Sequence, residues 1–255
     1  ARGKLSNHVW DFVNRVAREV GKTHPSKKIV CCAYGANTNP PSNLEQLEPN
    51  VEVVIVGGRR PRNSLPEQRI PIQELRAGWQ KITAHPFLVF ENYPFTSRRS
   101  YLPAFVARTI GDSINATKGF SRGEDIWLSF PRVHDDPNIG FNHFQVYFTA
   151  RMWWGGSHAN VEVMLDEYCR LFYGAAGPSM KSFFDYCELN YQAMESDKQK
   201  IDTLLEIFTA AKASVIPGSI HGRRLELIDR YLDALRSKAK QLQQKRGLVT
   251  KLRTV

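Results

Sequence analysis

The sequence predicts an α/β fold: about four parallel strands with helices between them, followed by an all-helical C-terminal extension. Three observations carry this. Four short apolar runs, KKIVCCAY, VEVVIVGG, FLVFENY and EDIWLSF, lie in the first half of the chain. Helical periodicity fills most of the intervals between them. From Ser157 onward no strand pattern recurs, and every segment reads as helix.

Residues 5 to 20 place Leu5, Val9, Phe12, Val13, Val16, Ala17 and Val20 on one helical stripe. Ser6 or Asn7 can cap its start, and Gly21 with Pro25 stops it. Ile29 to Tyr34 follows as a strand, apolar on both faces, as expected of a parallel strand buried on both sides. Residues 35 to 50 hold three prolines and no full helix, a departure from strict strand–helix alternation. Val51 to Val56 is the second strand, followed by the arginine-rich loop GGRRPRNSLPEQRIP. A helix from Ile72 to Thr83 carries Ile72, Leu75, Trp79 and Ile82 on one side. Phe87 to Tyr93 is the third strand, Leu102 to Phe120 a long helix, and Asp125 to Phe130 the fourth strand. A helix from Asn142 to about Trp153 puts Phe144, Phe148 and Met152 on one face. Asn160–Tyr173, Pro178–Glu195, Lys198–Ser214 and Arg223–Gln244 complete the helical part. Leu225, Ile228, Leu232, Leu235, Ala239 and Leu242 form the stripe of the last one, opposite a basic, solvated face.

At 42% hydrophobic and 24% charged residues the 255-residue chain can bury a core. No run approaches the roughly 18 apolar residues of a membrane span. Residue 1 is Ala rather than Met, so the absence of a signal peptide says nothing about a leader. The net charge of +10 would suit nucleic acid, but Ser219 to Val255 holds 10 Lys/Arg against 3 Asp/Glu, leaving only +3 for the remainder. A basic tail with no interleaved aromatic beyond Tyr231 matches no nucleic-acid module, and no nucleic-acid partner is expected. The four cysteines have no metal-ligand spacing, and Cys31, Cys32, Cys169 and Cys187 read as small buried hydrophobes. No Gly-rich phosphate fingerprint follows any strand. No cofactor and no metal site is expected.

Strand–helix alternation admits two architectures, an open doubly wound sheet or part of a (β/α)8 barrel. At WDFVNRVAREVGKTHPSKKIVCCAYGANTNPP, and again at ARMWWGGSHANVEVMLDEYCRLFYGAAGPSMKSFFDYCE, the chain resembles a bacterial family. That family is a domain of unknown function linked to barrel-type glycoside hydrolases and distantly similar to alpha-glucuronidases. The resemblance implies a partial (β/α)8 (TIM-type) barrel, its C-terminal half over residues 1–156 and a helical extension packed on it over residues 157–255. It implies that a missing N-terminal half-barrel, or a second chain, supplies the remaining strands. It also implies a secreted or periplasmic protein with a carbohydrate substrate or ligand. Two strand ends depart from the family pattern: the third ends in FENY where an Asp-containing WDY-like end is usual, and SFPRVHDD lacks the usual Glu soon after the fourth.

In a barrel the chemistry gathers at the C-terminal ends of the strands. That rule selects Tyr34 and Asn37 after the first strand and Arg59 and Arg60 after the second. It selects Glu91, Asn92 and Tyr93 at the third, and Ser129, Arg132, His134, Asp135 and Asp136 at the fourth. Glycoside hydrolysis uses two carboxyl groups. Glu91 is the acid/base candidate, because burial at the end of an apolar strand raises a carboxyl pKa; the bland alternative is a carboxylate bonded to arginine or backbone amides. Asp135 or Asp136 is the second carboxyl, unless the pair is a solvated turn before Pro137. His134 can bind a sugar hydroxyl or shuttle a proton. Arg59 and Arg60 can hold a uronic-acid carboxylate in a guanidinium fork. Asn37, Asn92 and Arg132 supply further polar contacts. Tyr34, Tyr93, Trp153 and Trp154 can stack on sugar rings, or simply pack. Two functions follow: a glycoside hydrolase-like protein whose catalytic apparatus is incomplete in this chain, or a non-catalytic carbohydrate-binding or scaffold protein on the same barrel.

Overall fold

A computed structural model of the chain describes residues 2–93, 102–128, 139–156 and 159–253. The chain divides into two compact units, one holding residues 1–59, 66–92 and 115–127, the other residues 60–65, 93–114 and 128–255.

The first unit is built on a four-stranded sheet in the order β1-β2-β3-β4: β1 Ile29–Ala33, β2 Val51–Val56, β3 Phe87–Tyr93 and β4 Ser121–Leu128. β1 pairs with β2 in parallel with Ile29 opposite Val51 and Ala33 opposite Ile55, and β2 pairs with β3 in parallel with Ile55 opposite Val89. This parallel sheet is the architecture that the alternating runs predict; four strands in one sheet do not by themselves make a barrel. Helices α1 Arg2–Thr23 and α2 Pro66–Ile82 supply the cover of one face. Trp10, Val13 and Ala17 from α1 and Trp79 from α2 form one core with Ala33, Val51, Val53, Ile55, Phe87 and Val89. Trp10 and Trp79 meet edge to face with centroids 4.6 Å apart. Their indole N–H groups donate to consecutive carbonyls, Asn37 O at 3.1 Å and Thr38 O at 2.8 Å.

Several local expectations are corrected here. The buried stripe of α1 is Ser6, Trp10, Val13, Asn14 and Ala17, while Leu5 and Phe12 are 46% and 62% exposed. Polar bonding sets the rotation: Asn14 Oδ1 accepts from Glu48 N at 2.5 Å, and Asn7 Oδ1 accepts from Ser42 N at 2.8 Å. β1 is an edge strand, and its second face, which carries Val30 and Cys32, is also uncovered. Val30 and Cys32 are exposed and Cys31 is half-buried; of the four cysteines only Cys169 and Cys187 are buried. The sheet edge also explains β4, which starts four residues before the expected Asp125. Its polar Ser121, Arg122, Gly123 and Glu124 resemble a loop in sequence because an edge strand tolerates charge. α2 begins at Pro66 rather than Ile72 and carries Pro71 in its second turn.

The second unit is helical: α3 Ala107–Asn115, α4 Ile139–Trp154, α5 Val161–Tyr173, α6 Gly177–Asn190, α7 Lys198–Ala213, α8 Ile220–Tyr231 and α9 Asp233–Arg253. Phe105, Phe144, Phe148, Tyr168, Phe183, Phe184 and Phe208 lie in its core. Asn160 caps α5, accepting from Glu162 N at 2.9 Å, and Asp197 caps α7, accepting from Gln199 N at 2.9 Å. α3 is half as long as the expected helix from Leu102 to Phe120. Pro103 keeps Leu102 out of the helical region, and Leu102–Val106 runs irregularly through the core with side chains on its carbonyls, Tyr231 Oη donating to Leu102 O at 2.7 Å and Gln145 Nε2 to Ala104 O. The N-terminus of α3 is capped from afar. Glu188 of α6 accepts from Arg108 N at 3.1 Å, Thr109 N at 2.8 Å and Thr109 Oγ1 at 2.8 Å. The expected last helix is two, α8 and α9, joined at Leu232 where ψ tightens to −7°. The predicted stripe survives this joint, with Leu225, Ile228, Leu232, Leu235 and Ala239 all buried.

Candidate functional site

The site is assembled where β2 leaves the sheet. Gly57 N donates to Phe90 O at 2.8 Å, which extends the β2–β3 ladder one step past Val56. Gly58 then adopts φ +147°, and a Cβ there would lie 2.9 Å from Arg76 Nη2 and 3.3 Å from Glu91 Oε1. Only glycine lets the backbone come this close to the charged groups. The turn aims the next amide at β3: Arg59 N donates to Glu91 Oε1 at 3.2 Å and to Oε2 at 3.4 Å.

Glu91 shares the core-facing side of β3 with Phe87 and Val89, by strand alternation. Its side chain is 2% exposed, and Arg76 Nη2 of α2 stands 3.7 Å from Oε1. Arg59 is fully buried and its Nη2 forms an ion pair with Glu124 Oε1 of β4, itself 5% exposed. Two carboxylates and two guanidiniums thus form one buried cluster. Burial pushes the Glu91 carboxyl above the ordinary glutamate range, against the opposing pull of Arg59 and Arg76 and of the Arg59 amide. Burial also lowers the Arg76 guanidinium, against the charge of Glu91.

Of the residues that the sequence nominates, the cluster brings together Glu91 and Arg59. Tyr34 stands at the end of β1, 59% exposed. Asn37 is half-buried and its Nδ2 donates to Cys32 O at 3.0 Å, so it closes its own loop. Arg60 is exposed and Asn92 is half-buried. Tyr93 ends β3. Trp153 and Trp154 close α4 with 41% and 89% exposure. Ser129, Arg132, His134, Asp135 and Asp136 lie outside the described residues.

Arg76 and Glu124 are members that sequence reasoning missed. Arg76 carried a readable signal: it lies four residues after Ile72 and three before Trp79, on the apolar stripe itself, where a charge requires a partner. Glu124 was hidden by the late start assigned to β4. Among the described residues no three His, Cys, Asp or Glu side chains converge as metal ligands would.

Fold and site together define an α/β protein with a parallel sheet and a buried carboxylate–guanidinium cluster beside the C-terminal half of β3. Over residues 1–185 the chain matches the family model described as Domain of unknown function (DUF4838), and it belongs to that family. No curated protein and no solved structure matches it. No described helix is long and apolar enough to cross a membrane.

Proposed function

We propose that the chain is part of a glycoside hydrolase-like protein acting on a carbohydrate, with its sheet as the C-terminal half of a (β/α)8 barrel. The observation that carries this reading is Glu91, a carboxyl buried toward the C-terminal end of a parallel strand with its proton affinity raised. Barrel enzymes collect their chemistry at that end of the sheet; Glu91 stands there on the face that α1 and α2 cover, so in this role it acts from the rim beyond the strand ends and not from the barrel lumen. Glycoside hydrolysis needs one carboxyl that still carries its proton near neutral pH and can deliver it to the leaving oxygen. In this role Glu91 is the acid, Arg59 and Arg76 tune and orient it, and Asp135 or Asp136 is the second carboxyl. Arg60 is a candidate for a uronic-acid carboxylate, and the open ring of Tyr34 for a sugar face.

A second reading is a non-catalytic carbohydrate-binding protein on the same scaffold. It is favoured by the exposures within the cluster: Arg59, Glu124, Arg76 and Glu91 show only 0%, 5%, 6% and 2% of their side chains and are paired with one another. Buried ion pairs of this kind also occur as plain structure.

Turnover of nitrophenyl glycosides, uronides included, by the protein made from its complete reading frame tests both. Wild type should turn over at least one of them, and Glu91→Gln should lose roughly 10²–10⁴-fold while a thermal melt shows it folded. Unchanged turnover removes Glu91 from the mechanism. Glycan-array binding by a wild-type protein that hydrolyses nothing selects the second reading.

A further inference from the structure

The two edges of the sheet are built differently. β4 carries Arg122, Glu124 and Asp125 within Ser121–Leu128, the charges that natural edge strands use against unwanted pairing. β1 reads IVCCA, with no charge and no proline. Ile29 N donates to Asn50 O on the β2 side, so by alternation Val30 and Cys32 turn their backbone groups to the free edge. Asn37 Nδ2 occupies Cys32 O, which ends the available ladder there.

The helix above this edge has a second apolar seam. Leu5 and Phe12 are exposed on α1, with half-buried Val9 and Val16 between and beyond them at i, i+4, i+7 and i+11. Asn7, Asn14 and Arg18 face the segment that leads into β2, through Ser42 and Glu48. The seam lies on the opposite flank of the helix, which is the side of the open β1 edge. Nearby charges are already neutralised on the helix itself, Asp11 by Arg15 at 3.2 Å and Glu19 by Lys22 at 2.7 Å.

We propose that β1 and the α1 seam form one docking surface for a further parallel strand–helix unit of the same polypeptide, N-terminal to α1. The topology selects this occupant. The strands follow one another in the order β1-β2-β3-β4, each step in the same direction. A right-handed crossover through α1 places the strand that precedes it on the free side of β1. The helix belonging to that strand packs on Leu5, Val9, Phe12 and Val16. The proposal rests on the half-barrel part of the reading above and not on its carbohydrate chemistry. An inactive protein with a covered β1 edge would sink the chemistry and leave the interface standing.

Hydrogen exchange on the protein made from its complete reading frame is the test. The Val30 and Cys32 amides should be as protected as those of β2, and should stay so on dilution. Phe12→Asp, at an exposed position that the core does not need, should speed exchange at Val30 and Cys32 by at least about tenfold and leave Ile55 unchanged. Rapid exchange at Val30 and Cys32 in wild type overturns the proposal. So does protection that disappears on dilution together with a dimer by light scattering, which would give the surface to a second copy of the chain.

Discussion

Replacing Glu188 by Ala should cost about 3 kcal/mol of stability. The carboxylate is 2% exposed and accepts two N-terminal amides of α3 and the Thr109 hydroxyl. The hydroxyl has a second acceptor, Asn63 O at 3.5 Å, and is not stranded by the change. The two amides have none of their own helix to turn to, since the first N–H groups of a helix lack partners within it. Each unsatisfied buried donor costs about 1–3 kcal/mol and loss of a helix cap about 1 kcal/mol, overlapping terms that sum to the figure above. Arg108 keeps Glu162 at 2.6 Å and Asp185 at 2.8 Å, so no unpaired guanidinium adds to it. Glu188→Gln separates the contributions. Its carbonyl can serve Thr109, while its amide group meets the Arg108 N–H donor to donor, for a loss of about 1–2 kcal/mol. Urea unfolding followed by far-ultraviolet circular dichroism gives both numbers by linear extrapolation. An Ala variant within about 0.5 kcal/mol of wild type, or a Gln variant as weak as Ala, would refute the capping argument.

Three further outcomes are expected. Glu124→Gln removes the carboxylate paired with the fully buried Arg59 guanidinium, leaving Glu91 as the remaining carboxylate of the cluster, and should cost about 3 kcal/mol; an unchanged melting temperature would reduce the pair to a passive contact. Gly111→Ala should destabilise by at least about 2 kcal/mol, because a Cβ there falls 1.9 Å from Val161 Cγ2, and adding Val161→Ala should recover most of the loss in a double-mutant cycle. The Asp229 carboxyl is raised by burial, but hydrogen bonds from Lys212 and Arg236 prevail and hold it below the ordinary aspartate range. Its stabilisation is therefore present above the unfolded-state pKa and is lost as pH falls through the lower folded value. Asp229→Asn should cost about 1 kcal/mol at neutral pH, shrinking toward nothing in acid; a penalty independent of pH would count against the ion pairs.

The runs at Val51–Val56 and Phe87–Tyr93 were legible to the residue because both strands are interior and apolar on the core side. Legibility failed at the edges. β4 mixes charges with apolar residues because one side of it has no neighbour, and β1 looks doubly buried in sequence because its exposed face carries the apolar Val30 and Cys32. On α1 the apolar pattern alone pointed to Leu5 and Phe12, whereas the tryptophan pair and the Asn7 and Asn14 hydrogen bonds fix a different face. Of the site, Glu91 and Arg59 followed from the rule of strand ends. Their partners came from a helix stripe and from an edge strand, places that the rule does not search. The cap of α3 by Glu188 spans 80 residues, and no local pattern encodes it.

The loop after β1 breaks the alternation of strand and helix, yet it is not left to wander. Two indoles, one from each covering helix, hold its consecutive carbonyls at Asn37 and Thr38. The conformational entropy of that segment is surrendered when the core forms, not when a ligand arrives. A molecule that meets the Tyr34 ring therefore meets a loop already ordered, and its affinity is not reduced by the freezing of a flexible chain. Loosening either tryptophan would release the loop itself, at a distance from the substituted side chain.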